Sequence, residues 1–292
     1  MLYKKNSTPS LNDGLFKNPT SEYRGTPFWA WNNMLTAEEL QRQIDVFKEM
    51  GLGGFHMHVR TGLKNKYLSD EYMELVKTCV EKAKKEDMLA WLYDEDRWPS
   101  GAAGGLVTCD ERFRARSLLF TTNLNGEAYR FGDPSRSEAS RSGNGALLAC
   151  YDVVLDKDGY LESYKRINAD DEAEGTKWYA LLEVYSNNSW HNDQTYVDTL
   201  NKEAIERFIE VTHEKYKDKV GYEFDKTVPA IFTDEPQFTR KQIFENSFDK
   251  DDVFMPWTDK VPELYEKAYG ADIFETLPEI FWDLPKSAPS IH

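Results

Sequence analysis

From Thr26 to Asp96 the hydrophobic period switches repeatedly between that of a strand and that of a helix, and this alternation limits the possible folds more than any other feature. TPFWAWN (Thr26 to Asn32) reads as a short aromatic strand. In the following LTAEELQRQIDVFKEMG, Leu40, Ile44, Phe47 and Met50 recur at helical spacing. Thr36 with Glu39 makes a capping-box signature, and Gly51 supplies a stop. GGFHMHVR (Gly53 to Arg60) is a second strand, SDEYMELVKTCVEKAKKED from Ser69 a second amphipathic helix, and MLAWLYDED (Met88 to Asp96) a third strand. Strands alternating with helices at this spacing predict βαβ units and a parallel sheet. Such strands are apolar on both faces because helices cover them.

Beyond Gly105 the texture changes. ARSLLFTTNL, GALLACYDVVLD, GYLESYKRI and KWYALLEVY are alternating, β-branched and aromatic runs separated by turn-forming stretches such as DKDG and NADDEAEG. They predict a β-rich, antiparallel insertion over about 113–185. Helical spacing returns in NKEAIERFIEVTHEKYK, capped by Asn201, and TVPAIFTDEP then supplies a fourth parallel-type strand. A further helix is expected over Asp259 to Tyr269, with no strand after Gln237. DPSRSEASRSGNG alone approaches low complexity, and no internal repeat is present.

Polar residues collect where the predicted parallel strands end: Trp31-Asn32, then His56, His58 and Arg60, then Asp94 to Arg97, then Asp234-Glu235. That edge carries ligands in α/β sheets and barrels alike. A carboxylate there can act as a general acid once burial raises its pKa, which makes Glu235 a candidate catalytic residue with Asp234 assisting. Neighbouring strand residues face opposite ways, so only one of the pair can point to the centre of the sheet. An acidic pair before Pro236 could equally cap a helix or lie in solvent. Arg97 could hold Asp94 or Asp96, or bind a hydroxyl-rich ligand. Trp98 is a stacking candidate or a packing piece. The glycines of WPSGAAGG match neither GxxxxGK nor GxGxxG, so they read as a loop and not as a phosphate cradle.

His56 and His58 form an HxH pair on one strand face, a spacing that can bind metal. A binuclear site needs further histidines at later strand ends, and only His191, His213 and His292 remain. Hydrogen bonding to substrate hydroxyls or to the neighbouring acids accounts for the pair better, so no metal site is assigned. In FWAWN, Trp29 and Trp31 suit stacking on the apolar face of a sugar ring, although alternate members must fill the core. Acids, amides, histidines and indoles around one cleft are the chemistry of polyol recognition.

Composition narrows the partners. Lys+Arg 36 against Asp+Glu 51 gives a net charge of -15, and no basic stretch is interleaved with aromatics, which disfavours nucleic acid. Cys79, Cys109 and Cys150 form neither a disulfide framework nor a CxxC site. No run approaches a membrane span, and MLYKKNSTPSLNDG lacks the apolar core of a signal peptide. A cytoplasmic protein is the expectation, with a secreted or periplasmic location left open.

The segments TPFWAWNNMLTAEELQRQIDVFKEMGLGGFHMHVRTGL, AWLYDEDRWPSGAAGG, YVDTLNKEAIERFIEVTHEKY, TVPAIFTDEP and MPWTDKVPELYEKAYG follow one another in an order that resembles the catalytic region of large bacterial glycoside hydrolases related to the α-L-rhamnosidases of family 106. The resemblance implies a (β/α)8 TIM-barrel-type fold that cleaves a glycosidic bond with two carboxylates. It makes Glu235, in the TDEP motif, the general acid, and an oligosaccharide or glycoside the substrate. It also implies calcium near the sugar in some relatives, with no ligands assignable in this sequence.

Under that resemblance residues 1–22 form an N-terminal arm, 23–112 the first part of the barrel, 113–185 the insertion and 186–292 the barrel's continuation. Four core strands are expected where a closed barrel has eight. The chain is therefore expected to be a partial barrel, with self-association or a missing C-terminal region as the ways to complete it. Asp94, Glu95 and Asp96 are the nearby candidates for the second carboxylate. Two other readings stand beside this one: a non-catalytic sugar-binding partial barrel, and an HxH metallohydrolase.

Overall fold

The computed structural model describes residues 10–126, 141–189, 191, 193–239 and 241–285. Part of the DPSRSEASRSGNG stretch, His292, and the first residues of the expected N-terminal arm lie outside the described residues. In chain order the helices and strands are α1 (Asp13–Lys17), β1 (Phe28–Trp31), α2 (Ala37–Glu49), β2 (Gly54–Val59), α3 (Asp70–Lys85), β3 (Leu89–Tyr93), β4 (Arg116–Thr121), β5 (Ala146–Leu155), β6 (Leu161–Ile167), β7 (Thr176–Val184), α4 (Lys202–Ile209), α5 (Lys215–Val220), β8 (Ile231–Phe232), β9 (Val253–Trp257), α6 (Val261–Tyr269) and α7 (Ile273–Thr276). A π-helical turn, Glu210–Glu214, joins α4 to α5.

The chain divides into two compact units, Met1–Cys109 with Ile205–Pro236, and Asp110–Ala204 with Gln237–His292. The first is the α/β unit that the βαβ pattern predicts. Its sheet has the order β1-β2-β3-β8, and every pairing is parallel. Helix α2 starts at Thr36, whose hydroxyl accepts from the Glu39 amide at 3.3 Å. The reciprocal half of the expected capping box does not form, because the Glu39 carboxylate turns to Arg42 and Gln43. Ser69 caps α3 by accepting from the Tyr72 amide.

Strand β1 alternates strictly: Trp29 and Trp31 are buried while Phe28 and Ala30 are not. With Phe55, Met57, Val59, Ala90 and Leu92 these two indoles form the core shared with α2 and α3. Burying side chains of this size supplies about 2–3 kcal/mol each. The opposite face carries Phe28, His56, His58, Trp91, Tyr93 and Phe232. The Phe28 and Phe232 rings meet at 5.1 Å although β1 and β8 are the two edge strands. A flat sheet would hold those edges about 14 Å apart, three spacings of ~4.8 Å. The sheet is therefore strongly curved, with this ring-lined face concave. The described residues contain these four parallel strands and no closed barrel.

The second unit is a five-stranded antiparallel sheet, β6-β5-β7-β4-β9. The expected insertion supplies four of its strands. The fifth, β9, was not expected after Gln237, and it pairs antiparallel with β4. Pro256 makes the run VFMPW look unlike a strand, but β9 lies at the edge of the sheet, where one side of the backbone needs no partner. Residues 237–285 thus belong with the antiparallel sheet, whereas the sequence reading continued the first unit through them. One face of this sheet is the core of Phe120, Tyr151, Trp178, Trp257 and Trp282, with Ile273 of α7 packed into it.

Candidate functional site

Three of the four parallel strands deliver acidic or basic groups to one edge, and the concave face below them is built of rings. His58 stacks on Tyr93 with centroids 4.1 Å apart, and His56 stacks on Trp91 at 4.9 Å. Phe28 packs against both imidazoles. A pocket of about 350 Å³ opens here, lined by Phe28, Ala30, His58, Arg60, Phe232 and Asp234. A larger one, about 790 Å³, lies at the other end of the strands. Four of the charged groups lining it are paired with one another, Lys84 with Glu223 at 2.6 Å and Lys48 with Glu86 at 3.9 Å, so it reads as a supporting surface.

Burial lowers the pKa of His56, and it lowers that of His58 to about 4. A neutral His58 facing the Asp234 carboxylate at 3.9 Å is too far to hydrogen-bond and is not an ion pair near neutral pH. Asp234 accepts from the Tyr93 hydroxyl at 3.3 Å. Burial raises its pKa, with the Tyr93 hydrogen bond pulling the other way.

Glu235 sits on the next residue with φ at +43°, a left-handed conformation rarely taken by a residue with a side chain. It is exposed, so the burial on which the general-acid expectation rested is absent, and the Trp98 indole N–H donates to its Oε2 at 3.0 Å. Asp234 therefore faces the concave pocket, and Glu235 stands above the strand end. Both halves of the acidic pair meet the same edge because the backbone turns between them.

The three acids after β3 have separate environments. Asp94 is fully buried and accepts from Ser100 Oγ at 2.6 Å and Thr233 Oγ1 at 2.6 Å. His213 Nε2, from the π-helical turn, lies 3.3 Å from the same carboxylate. Glu95, 1% exposed, accepts four backbone N–H groups: Asp96 at 2.8 Å, Gly101 at 2.9 Å, Ala103 at 2.8 Å and Gly104 at 2.6 Å. Burial pushes its carboxyl up to about 7 against the pull of those donors, which favour the anion. The loop SGAAGG is thus a cradle for the protein's own carboxylate. Gly104 is required in it: its φ is +61°, and a Cβ there would stand 3.0 Å from Asp96 Cβ and 3.1 Å from the Tyr67 ring. Asp96 is paired with Arg97 at 3.3 Å, which decides between the two partners open to that guanidinium. Burial raises the Asp96 pKa, opposed by Arg97.

The sequence-predicted residues therefore sort into groups. His56, His58, Arg60, Asp234 and the exposed Asn32 lie on the concave face or its rim, and Asp94, Asp96, Arg97, Trp98 and Glu235 on the adjoining loops. Trp29 and Trp31 are not available to a ligand. Both are buried in the core, and Trp29 donates to Gln43 of α2 at 2.7 Å. They share the helix-facing side of β1, so the ring presented to the pocket is Phe28. Sequence reasoning also missed Tyr93, Ser100, Thr233 and His213. Only the strand-end positions of Tyr93 and Thr233 could have signalled them.

Among the described residues no three His, Cys, Asp or Glu side chains converge as a metal site. The acids here do not fit a calcium ion either: Glu95 is satisfied by four N–H donors and Asp94 by its own partners. No described helix is long and apolar enough to cross a membrane.

No protein-family model and no curated protein matches the chain. Among solved structures it is similar to a rhamnosidase from Novosphingobium sp. PP1Y, with 12% identity and a TM-score of 0.50. The similarity covers 91% of this chain and 42% of the rhamnosidase, so the chain spans less than half of that protein's length. At this identity the likeness shows a shared fold. The fold is an α/β arrangement, with four parallel strands in one unit and an antiparallel sheet in the other.

Proposed function

We propose that the chain is an α-L-rhamnosidase-like glycoside hydrolase region, a segment of a (β/α)8 barrel, in which Glu235 is the general acid and Asp234 assists. The observation that supports this most is the acidic pair itself: a carboxylate held by an indole N–H on a left-handed turn, directly above a ring-lined pocket. As the bond from the anomeric carbon to the leaving oxygen breaks, the Glu235 carboxyl passes its proton to that oxygen. Phe28 offers an apolar platform for a sugar ring, and Arg60, His58 and Asp234 offer partners for its hydroxyls. The substrate is an oligosaccharide or glycoside.

A second carboxylate must act on the opposite side of the scissile bond, about 5 Å from the acid in retaining enzymes and about 6.5–9.5 Å in inverting ones. Asp94, Glu95 and Asp96 are all committed to protein partners, which favours a second reading: by itself the chain binds sugar and turns it over slowly. Completion by another copy or a further segment would supply the missing group.

The experiment is an assay of the purified chain on a panel of nitrophenyl and alkyl glycosides, α-L-rhamnosides included, beside calorimetric titration with the free sugars. Sugar binding with slow cleavage is expected. Glu235→Gln should reduce cleavage of alkyl glycosides by a further factor of about 10²–10⁴. Rates unaffected by Glu235→Gln would remove that residue from the mechanism. Rapid turnover by a monomer would mean that a second carboxylate is already in place. Stoichiometric zinc in fresh protein would instead revive the HxH metallohydrolase.

A further inference from the structure

We infer that Asp94 is a positioning residue for the acidic pair, acting through Ser100 and Thr233 on the backbone that carries Glu235. Its value to catalysis rests on the reading of Glu235 given above; its action on the turn does not. Asp94 has left the last residue of β3 and is wholly buried, so its charge needs partners where it lies. Those partners belong to the turn after β8. Thr233 donates to one oxygen and Ser100 to the other, each at 2.6 Å. Ser100 then grips Asp234 twice: its Oγ accepts the Asp234 amide at 2.8 Å, and its own amide donates to the Asp234 carbonyl at 2.8 Å.

Because Ser100 Oγ accepts the Asp234 amide, its proton is directed to Asp94. The hydroxyl is a fixed relay from the buried charge to the turn backbone. His213 completes the set from a different element. The Thr212 hydroxyl donates to the Phe208 carbonyl at 2.5 Å and contacts His213 Nδ1 at 3.0 Å, which orients the ring so that Nε2 meets Asp94. A π-helical turn is a rare geometry and recurs at functional positions. Here it carries the imidazole.

This relay explains how Glu235 keeps its conformation. A φ of +43° is strained for a residue with a side chain and persists only where its surroundings over-determine it. The clamp on Thr233 and Asp234 holds the chain up to that residue, and the Trp98 indole holds the carboxylate beyond it. Removing the clamp should let the turn relax, and the Trp98–Glu235 hydrogen bond should be lost with it.

The test uses the Trp98 indole N–H resonance, identified by its disappearance in Trp98→Phe, as a reporter that needs no turnover. Thr233 is exposed, so its substitution leaves the core intact. Thr233→Val, nearly isosteric but without the hydroxyl, should move the Trp98 signal toward that of a free indole. Thr233→Ser should restore it. Ser100→Ala should move it further, and His213→Gln less. Where glycoside cleavage is measurable, Thr233→Val should lower kcat about tenfold with KM unchanged. A Trp98 resonance that stays in place in Thr233→Val, whatever happens to the melting temperature, overturns the proposal. So does an equal displacement in Thr233→Ser. If the chain cleaves no glycoside, the proposed activity fails, yet the Trp98 reporter still decides whether Asp94 positions the turn.

Discussion

The two units bury carboxylates in different ways. In the antiparallel unit Asp152, 3% exposed, accepts the amides of Glu174 at 3.0 Å and Gly175 at 2.8 Å, pinning the β6–β7 connection. Glu183 accepts the Ser142 amide at 2.7 Å, and Arg141 pairs with Asp252 at 3.1 Å. Asp152 and Glu183 answer first to backbone N–H groups, with the Lys165 ammonium and the Ser142 hydroxyl beside them, and Asp252 answers to an arginine; all three organise turns. In the parallel unit Glu95 does the same. Asp94, Asp234 and Glu235 differ: their partners are hydroxyls, an imidazole and an indole, gathered at one sheet edge. Backbone-anchored acids keep a loop in shape, whereas the side-chain-anchored ones at this edge fix or form the turn that presents Asp234 and Glu235.

The strongest way to break this distinction is Glu95→Ala. It leaves four buried N–H groups without an acceptor, and at about 1–3 kcal/mol for each one that water cannot reach, the loss should be about 3–5 kcal/mol or more. Urea unfolding would show it, and a midpoint close to that of the unmodified protein would refute the structural role.

Next in size is a pH effect confined to the parallel unit. His58 has a folded pKa of about 4 against about 6.5 unfolded, so its contribution is complete above pH 6.5 and is lost as pH falls through 4. The difference amounts to at most about 3 kcal/mol. His58→Phe keeps the stack on Tyr93 and should flatten that part of the stability profile. Equal slopes for the two proteins between pH 6.5 and 4 would contradict the assignment.

Asp152→Ala, the counterpart in the antiparallel unit, removes the acceptor for two N–H groups and should cost about 1–3 kcal/mol. Faster proteolysis near Glu174 would localise the change, and cleavage elsewhere would argue against it. Smallest of all for stability is Phe28→Ala. The ring is 58% exposed, so unfolding should shift by less than about 1 kcal/mol, while sugar affinity falls about tenfold. Undiminished affinity would take Phe28 out of the site.

Much of the parallel unit was legible in the chain. The spacing of Leu40 and Ile44, the caps at Thr36 and Asn201, and the edge where acids collect are all local patterns, and the structure places helices and strands on them. Strand β9 was not legible because its proline is tolerated only by virtue of an edge position that depends on β4, more than 130 residues earlier. Nor could the sequence separate Trp29 and Trp31 from Phe28. Alternation says that they face opposite ways, but a parallel strand is apolar on both sides, so nothing local marks which side the helices cover.

The acids of DEDRW show the same limit most clearly. By itself the sequence determined the order of strands and helices, and the edge to which Asp94, Glu95, Asp96 and Glu235 come, because hydrophobic period and capping are read within a dozen residues. Only the tertiary structure decided what each acid does. Glu95 is claimed by a loop that folds back onto it, and Asp94 by Thr233, 139 residues further along the chain. A carboxylate's role depends on which donors reach it once water is excluded, and those donors are brought together by strand pairing and curvature.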